Sequence, residues 1–467
     1  MLSKLPQYSL LLSTIILMIS CQNPDQVRDK YRVVIMTDMT HDDGNSLIRM
    51  LYYPEVFDIE AVIITQQLPD YDFDANEPWD KAMGIYKAYE QELPQLRKHL
   101  PDFPSYEALM AVTKPGRGAL VINFLQEGQR FDDYIGEGIN PNAEPKDSEG
   151  SEFLIEVFEK EDDRPIYVQL WGGPVTFVQA LYRFRQRNGD EKLQQLLQKV
   201  FVYGILLQDI TADYFVDLFQ IKESGCMGLG TYQPEEGFQG RRVQPGTFVY
   251  DGGHFWDYLK AVDYRTVNGH GPMSEIYDNG GEGDTPAFLY LISAFYGLND
   301  PMDPTMGSWG GRFVPMDESY GANYYHTCGL EKSNLIRWVP QTSHDFWARL
   351  QWSIKDPEEV NYVPMACIDG NKSNEILYLK AKAGEKLTFD ASCSTDPNGD
   401  DLSFQWSHYQ DAGTFKGQLN LDETDQPNLT LVLPEDYQGE AIHLILEVKD
   451  NGEIPLVAYR RVVIGGI

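Results

Sequence analysis

The sequence predicts an α/β domain on a mainly parallel sheet covered by helices, followed by a C-terminal immunoglobulin-like β-sandwich. Three observations point there. Apolar runs of strand length alternate with helix-length patterns from residue 32 onward, a texture that stops near residue 360. Beyond it come short alternating strands separated by Gly/Asp/Asn turns, about 100 residues of them, as in a sandwich. Finally, 467 residues exceed what one hydrophobic core usually organises, and 42% apolar with 12% aromatic residues can fill two.

The elements follow in order. Residues 1–20 read as a targeting segment: Lys4 gives a positive start, "YSLLLSTIILMIS" is too short for a spanning helix, and Cys21 follows small Ser20. This arrangement resembles a bacterial lipoprotein signal, which implies cleavage before a lipidated Cys21, a 21–29 linker and an exported, cell-envelope protein held at a membrane only by its lipid. The α/β domain spans 30–358. "RVVIMT" precedes "DDGNSLIRMLYYP", "FDIEAVIIT" precedes "EPWDKAMGIYKAYEQEL", "RPIYVQLW" precedes "PVTFVQALYRFRQR", and "KVFVYGILL" follows "DEKLQQLL". Continuous apolar strands with intervening helices mean a sheet buried on both faces. The sandwich spans 359–467, with strands in "EILYLKAKAGEKLTFDAS", "LSFQWSHY", "NLTLVLP", "AIHLILEVKD" and "AYRRVVIGG". Export permits disulfides, and Cys367 with Cys393 is the candidate pair because both fall in that small domain; buried free thiols are the other reading.

Charge narrows the function. Lys+Arg 38 against Asp+Glu 71 gives a net −33, which disfavours nucleic acid and anionic membrane surfaces as partners. A small neutral ligand or a cation fits better. No G-x-S-x-G elbow, H-E-x-x-H or G-K-[ST] phosphate loop occurs.

The densest chemistry is "TDMTHDDGNSL", where Asp38, Asp42 and Asp43 follow the first apolar strand. Ligands of such sheets bind beyond the carboxyl ends of the strands. Carboxylates converging there repel unless a cation joins them, and an oxygen-only set suits calcium or magnesium, not zinc. The plainer alternative is that Asp42 or Asp43 caps the helix. Two further ligands are on offer: Asp284 in "GGEGDTPAFLYLI", also readable as a cap, and the carbonyl of Trp171 in "LWGGPVT", where glycines permit close approach.

These segments carry a resemblance. "TDMTHDDGNSL", "WGGPVTFVQAL" and "GDTPAFLYL" are similar to three conserved-pattern segments of the nucleoside hydrolases. The chain resembles still more a bacterial branch sometimes called cellulose-binding, which pairs that domain with a β-sandwich. The matching stretches are "KDSEGS", "NGHGPMSEIY", "GLNDP", "GSWGGRF", "DASCSTDPNGDDLSFQW" and "HLILEVKDNG". The resemblance implies that Asp38, Asp43, Asp284 and the Trp171 carbonyl hold Ca2+, with Mg2+ the lesser choice. It implies that Asp42 bonds a sugar hydroxyl and that Asp38 is general base to a water attacking the anomeric carbon of an N-glycoside. The ligand is then a nucleoside or glycan.

Departures qualify this. Gly283 stands where nucleoside hydrolases often carry a histidine, and their asparagine-rich E-F-N segment is replaced by "YGILLQDITADYFVDLFQ". Gln208 and Asp209 are the best substitutes there, and His270 in "NGHGP" is a candidate acid, against the plainer reading of a structural loop histidine. Trp309 and Arg312 of "GSWGGRF", with Tyr320, Tyr324 and Tyr325, are candidates to line the ligand rim; core packing is the alternative. In the sandwich, Asp396, Asn398 and Asp400 suit either a calcium site or a hydrogen-bonded turn. Three functions compete: a calcium-dependent hydrolase of an N-glycosidic or related sugar bond, a non-catalytic glycan-binding surface lipoprotein, and a scaffold in an envelope assembly.

Overall fold

The computed structural model describes residues 29–65, 77–117, 147–205, 247–251, 266–315, 324–326 and 333–466. Cys21, Gln208, Asp209 and Tyr320 lie outside them.

The first domain is built on one eight-stranded sheet. Its strands are β1 (Tyr31–Thr37), β2 (Phe57–Ile64), β3 (Thr113–Pro115), β4 (Ile166–Leu170), β5 (Val200–Ile205), β6 (Thr247–Asp251), β7 (Val314–Pro315) and β8 (Tyr324–His326), in the order β3-β2-β1-β4-β5-β6-β8-β7. All pairs are parallel except β7 with β8. Val33, Val34, Ile35 and Met36 of β1 are wholly buried, as a strand covered on both faces must be. From β1 the chain builds outward to β3 and then returns to β4 on the other side of β1. The carboxyl ends of β1 and β4 therefore flank a topological switch point, where open α/β sheets bind ligands.

Helix His41–Met50 leaves β1 after only three residues. Met39 makes this connection short by taking φ +56°, a left-handed backbone uncommon for a side chain without a local polar bond. The helix carries Asp42 and Asp43 in its first turn and Arg49 in its last, complementing its dipole. Leu47, Ile48 and Leu51 bury its apolar stripe.

The C-terminal strands are β9 (Leu377–Leu379), β10 (Lys386–Asp390), β11 (Ser403–His408), β12 (Asn428–Val432), β13 (Ile442–Lys449) and β14 (Val457–Ile464). Antiparallel β10-β12 faces a sheet ordered β11-β13-β14-β9 across a core that includes Phe389, Trp406, Leu431 and Leu446, which is the expected sandwich. A disulfide joins Cys367 to Cys393, 26 residues apart, a loop whose closure is worth roughly 3–4 kcal/mol. Asp396 accepts the amides of Asn398 and Asp400, so that turn is hydrogen-bonded on its own side chain.

The two parts share apolar core. Tyr459 of β14 bonds the Tyr296 carbonyl through its amide and Trp309 Nε1 through its hydroxyl, and the Arg461 guanidinium donates to the carbonyls of Leu298, Met306 and Gly307. Among the described residues no helix is long and apolar enough to cross a membrane.

Candidate metal centre at the end of β1

The residues at the end of β1 fix one another before any ligand is considered. Asp43 Oδ1 accepts the Thr37 hydroxyl and the Asp38 amide, and its Oδ2 accepts the Thr40 hydroxyl at 2.8 Å. The Thr40 hydroxyl also reaches Asp42 Oδ1 at 3.1 Å. Asp38 Oδ1 accepts the Thr40 amide at 3.2 Å, while its Oδ2 lies where a Cβ on Gly172 would come within 3.2 Å. Gly172 follows Trp171 at the end of β4, and both amides bond the Met36 carbonyl. A side chain at Gly172 would press on Asp38 at 3.1–3.2 Å, so glycine lets the chain pass here without displacing that carboxylate. The Trp171 side chain is buried against Phe288.

Asp284 arrives from far along the chain, held by one face of helix His41–Met50. The Asn45 side chain bonds the carbonyls of Asp278 and Gly281 and accepts the Asp278 amide. Ser46 accepts the Thr285 hydroxyl, and Arg49 donates to Glu282 at 2.8 Å in a fully buried ion pair that Tyr277 completes. Residues 45, 46 and 49 lie on neighbouring positions of that helix, so a single face carries the whole tie. The result brings one oxygen each of Asp42, Asp43 and Asp284 within 4.8 Å of one another. Asp38 stands beside this trio and outside it.

Electrostatics make the grouping costly as it stands. Burial first, then repulsion from Asp43, Asp42 and Asp38, holds Asp284 well above the usual carboxylate range. Asp38 is raised well above it by burial and then by Asp43, Asp43 is raised by burial, and Asp42 is pushed up to about 6 by burial and Asp43. One ammonium, Lys81, offsets part of the charge on Asp42 and Asp43 while bonding the Thr40 carbonyl. Both oxygens of Asp284 are buried and receive no hydrogen bond from a fixed donor among the described residues. Thr40 and Thr285, the N-caps of the two following helices, make no side-chain cap bond, while Asp42 and Asp43 sit in the first turn, where their charge favours the helix dipole. What can satisfy Asp284 is a proton shared with Asp43 or a hard cation. An all-oxygen donor set with an orphaned buried carboxylate fits the divalent metal expected of this fold.

The remaining candidates go elsewhere. His270 Nδ1 bonds the Val267 carbonyl at 2.7 Å and its Nε2 meets the Gln351 amide at 2.7 Å, so both ring nitrogens are engaged in fastening its loop to helix Val339–Gln351. It is a structural loop histidine, not a free acid. Trp309 is 1% exposed, edge-on to Tyr296 and Tyr459; it packs at the junction with the sandwich instead of lining a rim. Arg312 lies near Tyr409 of the sandwich, in company with Arg337 and Arg461. Thr37, Thr40, Asn45 and Arg49 are functional supports that the sequence did not single out. For the threonines a signal exists, since both sit inside "TDMTHDD"; the Arg49–Glu282 pair spans 233 residues and has none.

The comparisons agree with this fold. The family described as "Cellulose-binding Sde182, nucleoside hydrolase-like domain" matches residues 32–313, and "Cellulose-binding protein Sde0182, C-terminal domain" matches 386–465. A solved nucleoside hydrolase-related protein from Saccharophagus degradans, described as associated with carbohydrate metabolism, is 28% identical at TM-score 0.74, covering 94% of this chain and 100% of its own. An inosine-guanosine nucleoside hydrolase is 12% identical over 70% of this chain and 99% of its own; its TM-score of 0.36 carries nothing about activity. No curated protein matches. With well over half its length matched by that first model, this chain belongs to the cellulose-binding Sde182 family with a nucleoside hydrolase-like domain.

Proposed function

We propose that the protein is a calcium-dependent hydrolase of an N-glycosidic or related sugar bond, exported and anchored in the cell envelope through a lipidated Cys21. The domain division is the one read from the sequence: leader 1–20, linker 21–29, α/β domain 30–358 and sandwich 359–467. The observation that carries the reading is Asp284, buried and without a donor, set against Asp42 and Asp43. Asp42, Asp43 and Asp284 would hold Ca2+, with Asp38 and the Trp171 carbonyl at its edge. The bound ion supplies Lewis acidity that lowers the pKa of a water. Asp38 would act as general base to the attacking water, its carboxylate held by the Thr40 amide and beside the Gly172 backbone. The surrounding carboxylates stabilise positive charge developing on the sugar ring. His270 is engaged elsewhere and is not the acid that protonates the leaving group.

The test is release of reducing sugar from a panel of nucleosides and glycosides. Turnover is expected to need calcium, to vanish with chelator and to fall at least 100-fold in Asp38→Asn, in the range of a lost general base. Turnover that survives both treatments refutes the mechanism. A second reading, a non-catalytic glycan-binding surface protein, draws on the cellulose-binding description shared by both matched families. Saturable glycan binding with no turnover of any substrate would select it.

A further inference from the structure

Lys81 comes from helix Glu77–His99 and ends at the loop that carries the acids, with its ammonium 2.5 Å from the Thr40 carbonyl. The same carbonyl opens helix His41–Met50 by accepting the Gly44 amide at 3.2 Å. Gly44 leaves the lysine its path, because a Cβ there would lie 2.8 Å from Lys81 Cε and 3.1 Å from Nζ. The ammonium thus stands at the positive end of a helix, where a cation is disfavoured. What outweighs that cost is the pair Asp42 and Asp43 in the same first turn.

Lys81 nonetheless forms no ion pair with a carboxylate among the described residues; its bond is to a carbonyl. It offsets the acids through space and leaves their oxygens open. A lysine closed onto Asp42 or Asp43 would occupy an oxygen that a cation needs, and one held much farther away would be screened by salt.

We propose that Lys81 is a built-in counter-ion that sets the strength and the charge preference of the cation site. It eases the repulsion among the acids in the metal-free protein and holds down the affinity for a bound ion, more for a trivalent ion than for a divalent one. This rests on the reading of the acid cluster as a calcium site and concerns how tightly the ion is held.

The charge preference follows from Coulomb's law, since a fixed ammonium repels an ion in proportion to the charge of that ion. If it costs a divalent ion about a factor of ten in affinity, it costs a trivalent ion of similar radius about a factor of thirty, half as much again on a logarithmic scale. A lysine that merely ties its helix to Thr40 would change both affinities by the same factor. The ratio of the two factors therefore separates charge from tethering.

Calorimetric titration of the full chain, stripped with EDTA, with calcium chloride and with terbium chloride tests this, counting only the binding that Asp284→Asn removes. Lys81→Met keeps the stem and deletes the charge; it should tighten calcium about tenfold and terbium about thirtyfold, with both gains shrinking at high salt. Lys81→Arg keeps the charge and should bind both ions as the wild type does. Calcium affinity that is unchanged or weaker in Lys81→Met overturns the proposal and leaves the reading of the cluster standing. Equal factors for the two ions also overturn it and make Lys81 a tether. A wild-type chain that binds neither ion at the cluster overturns that reading and this proposal together.

Discussion

The end of β1 and the junction beneath the sandwich both bury several charges, and they resolve the electrostatic cost in opposite ways. At the junction the buried Arg349 has Glu55, the Tyr296 hydroxyl and the Tyr52 carbonyl, and Asp345 has two tyrosines. At β1, Asp38, Asp42, Asp43 and Asp284 share two threonine hydroxyls, a few amides and one lysine, and Asp284 shares in none of the hydroxyls or amides. A chain able to pair its charges in one place has left them unpaired in another. The difference sets the first network apart as internal support and the second as a cluster of acids with too few partners among the described residues.

Deleting a charge should then have opposite signs in the two regions. Arg349→Met strands the Glu55 carboxylate and is expected to destabilise the fold by about 3–5 kcal/mol, the range for breaking a buried pair. Urea denaturation measures it. A loss below about 1 kcal/mol would mean that water already solvates Glu55, and the contrast between the regions would collapse.

A third buried carboxylate sharpens the comparison because it stands between the two. Glu92 accepts the Tyr52 hydroxyl and the Met273 amide but faces no cation, and burial pushes it up to about 7 from an ordinary 4.5. The folded chain thus keeps a proton that the unfolded chain releases. The contribution of Glu92 to stability is full below about pH 4.5, is lost as the pH rises to about 7 and is flat above, a total of roughly 3 kcal/mol. Glu92→Gln should remove that decline. The difference between wild type and variant, followed by denaturant melts at pH 5 and 7.5, isolates it from other titrating groups such as His99, whose lowered pKa acts in the opposite sense. Equal slopes for the two proteins would show that Glu92 is solvated.

How much of this was legible in the sequence follows from the range of the interactions. Local periodicity marks β1, β2, β4 and β5 because strands covered on both faces are continuous apolar runs, and the tight turn at "MTH" is local too. The short strands β7, at the sheet edge, and β8, beside it, two and three residues long, have no such run to announce them. Asp284 could be named as a candidate from its glycine-rich approach, but the Asn45, Ser46 and Arg49 bonds that deliver it are long-range and unsigned in sequence. His270 and Trp309 misled for one reason. A polar or aromatic residue among glycines reads the same whether its partners are ligand or protein, and here Gln351 and Tyr459 supply the partners from distant elements.

The smallest expected effect is the most discriminating. Asp284→Asn keeps the shape of the side chain, removes one of four crowded negative charges and offers Asp43 an N–H donor. In EDTA the variant should be more stable than wild type by roughly 1–3 kcal/mol, the scale of relieving one unsatisfied buried group. With saturating calcium the order should reverse, because the wild type gains the linkage term, about 2.7 kcal/mol at a hundred times Kd, and the variant gains far less. Paired melting curves with and without the ion read both differences. If Asp284→Asn is the less stable protein in EDTA, the charges at the end of β1 are already balanced from within, as at the junction, and the site has no vacancy for a cation to fill.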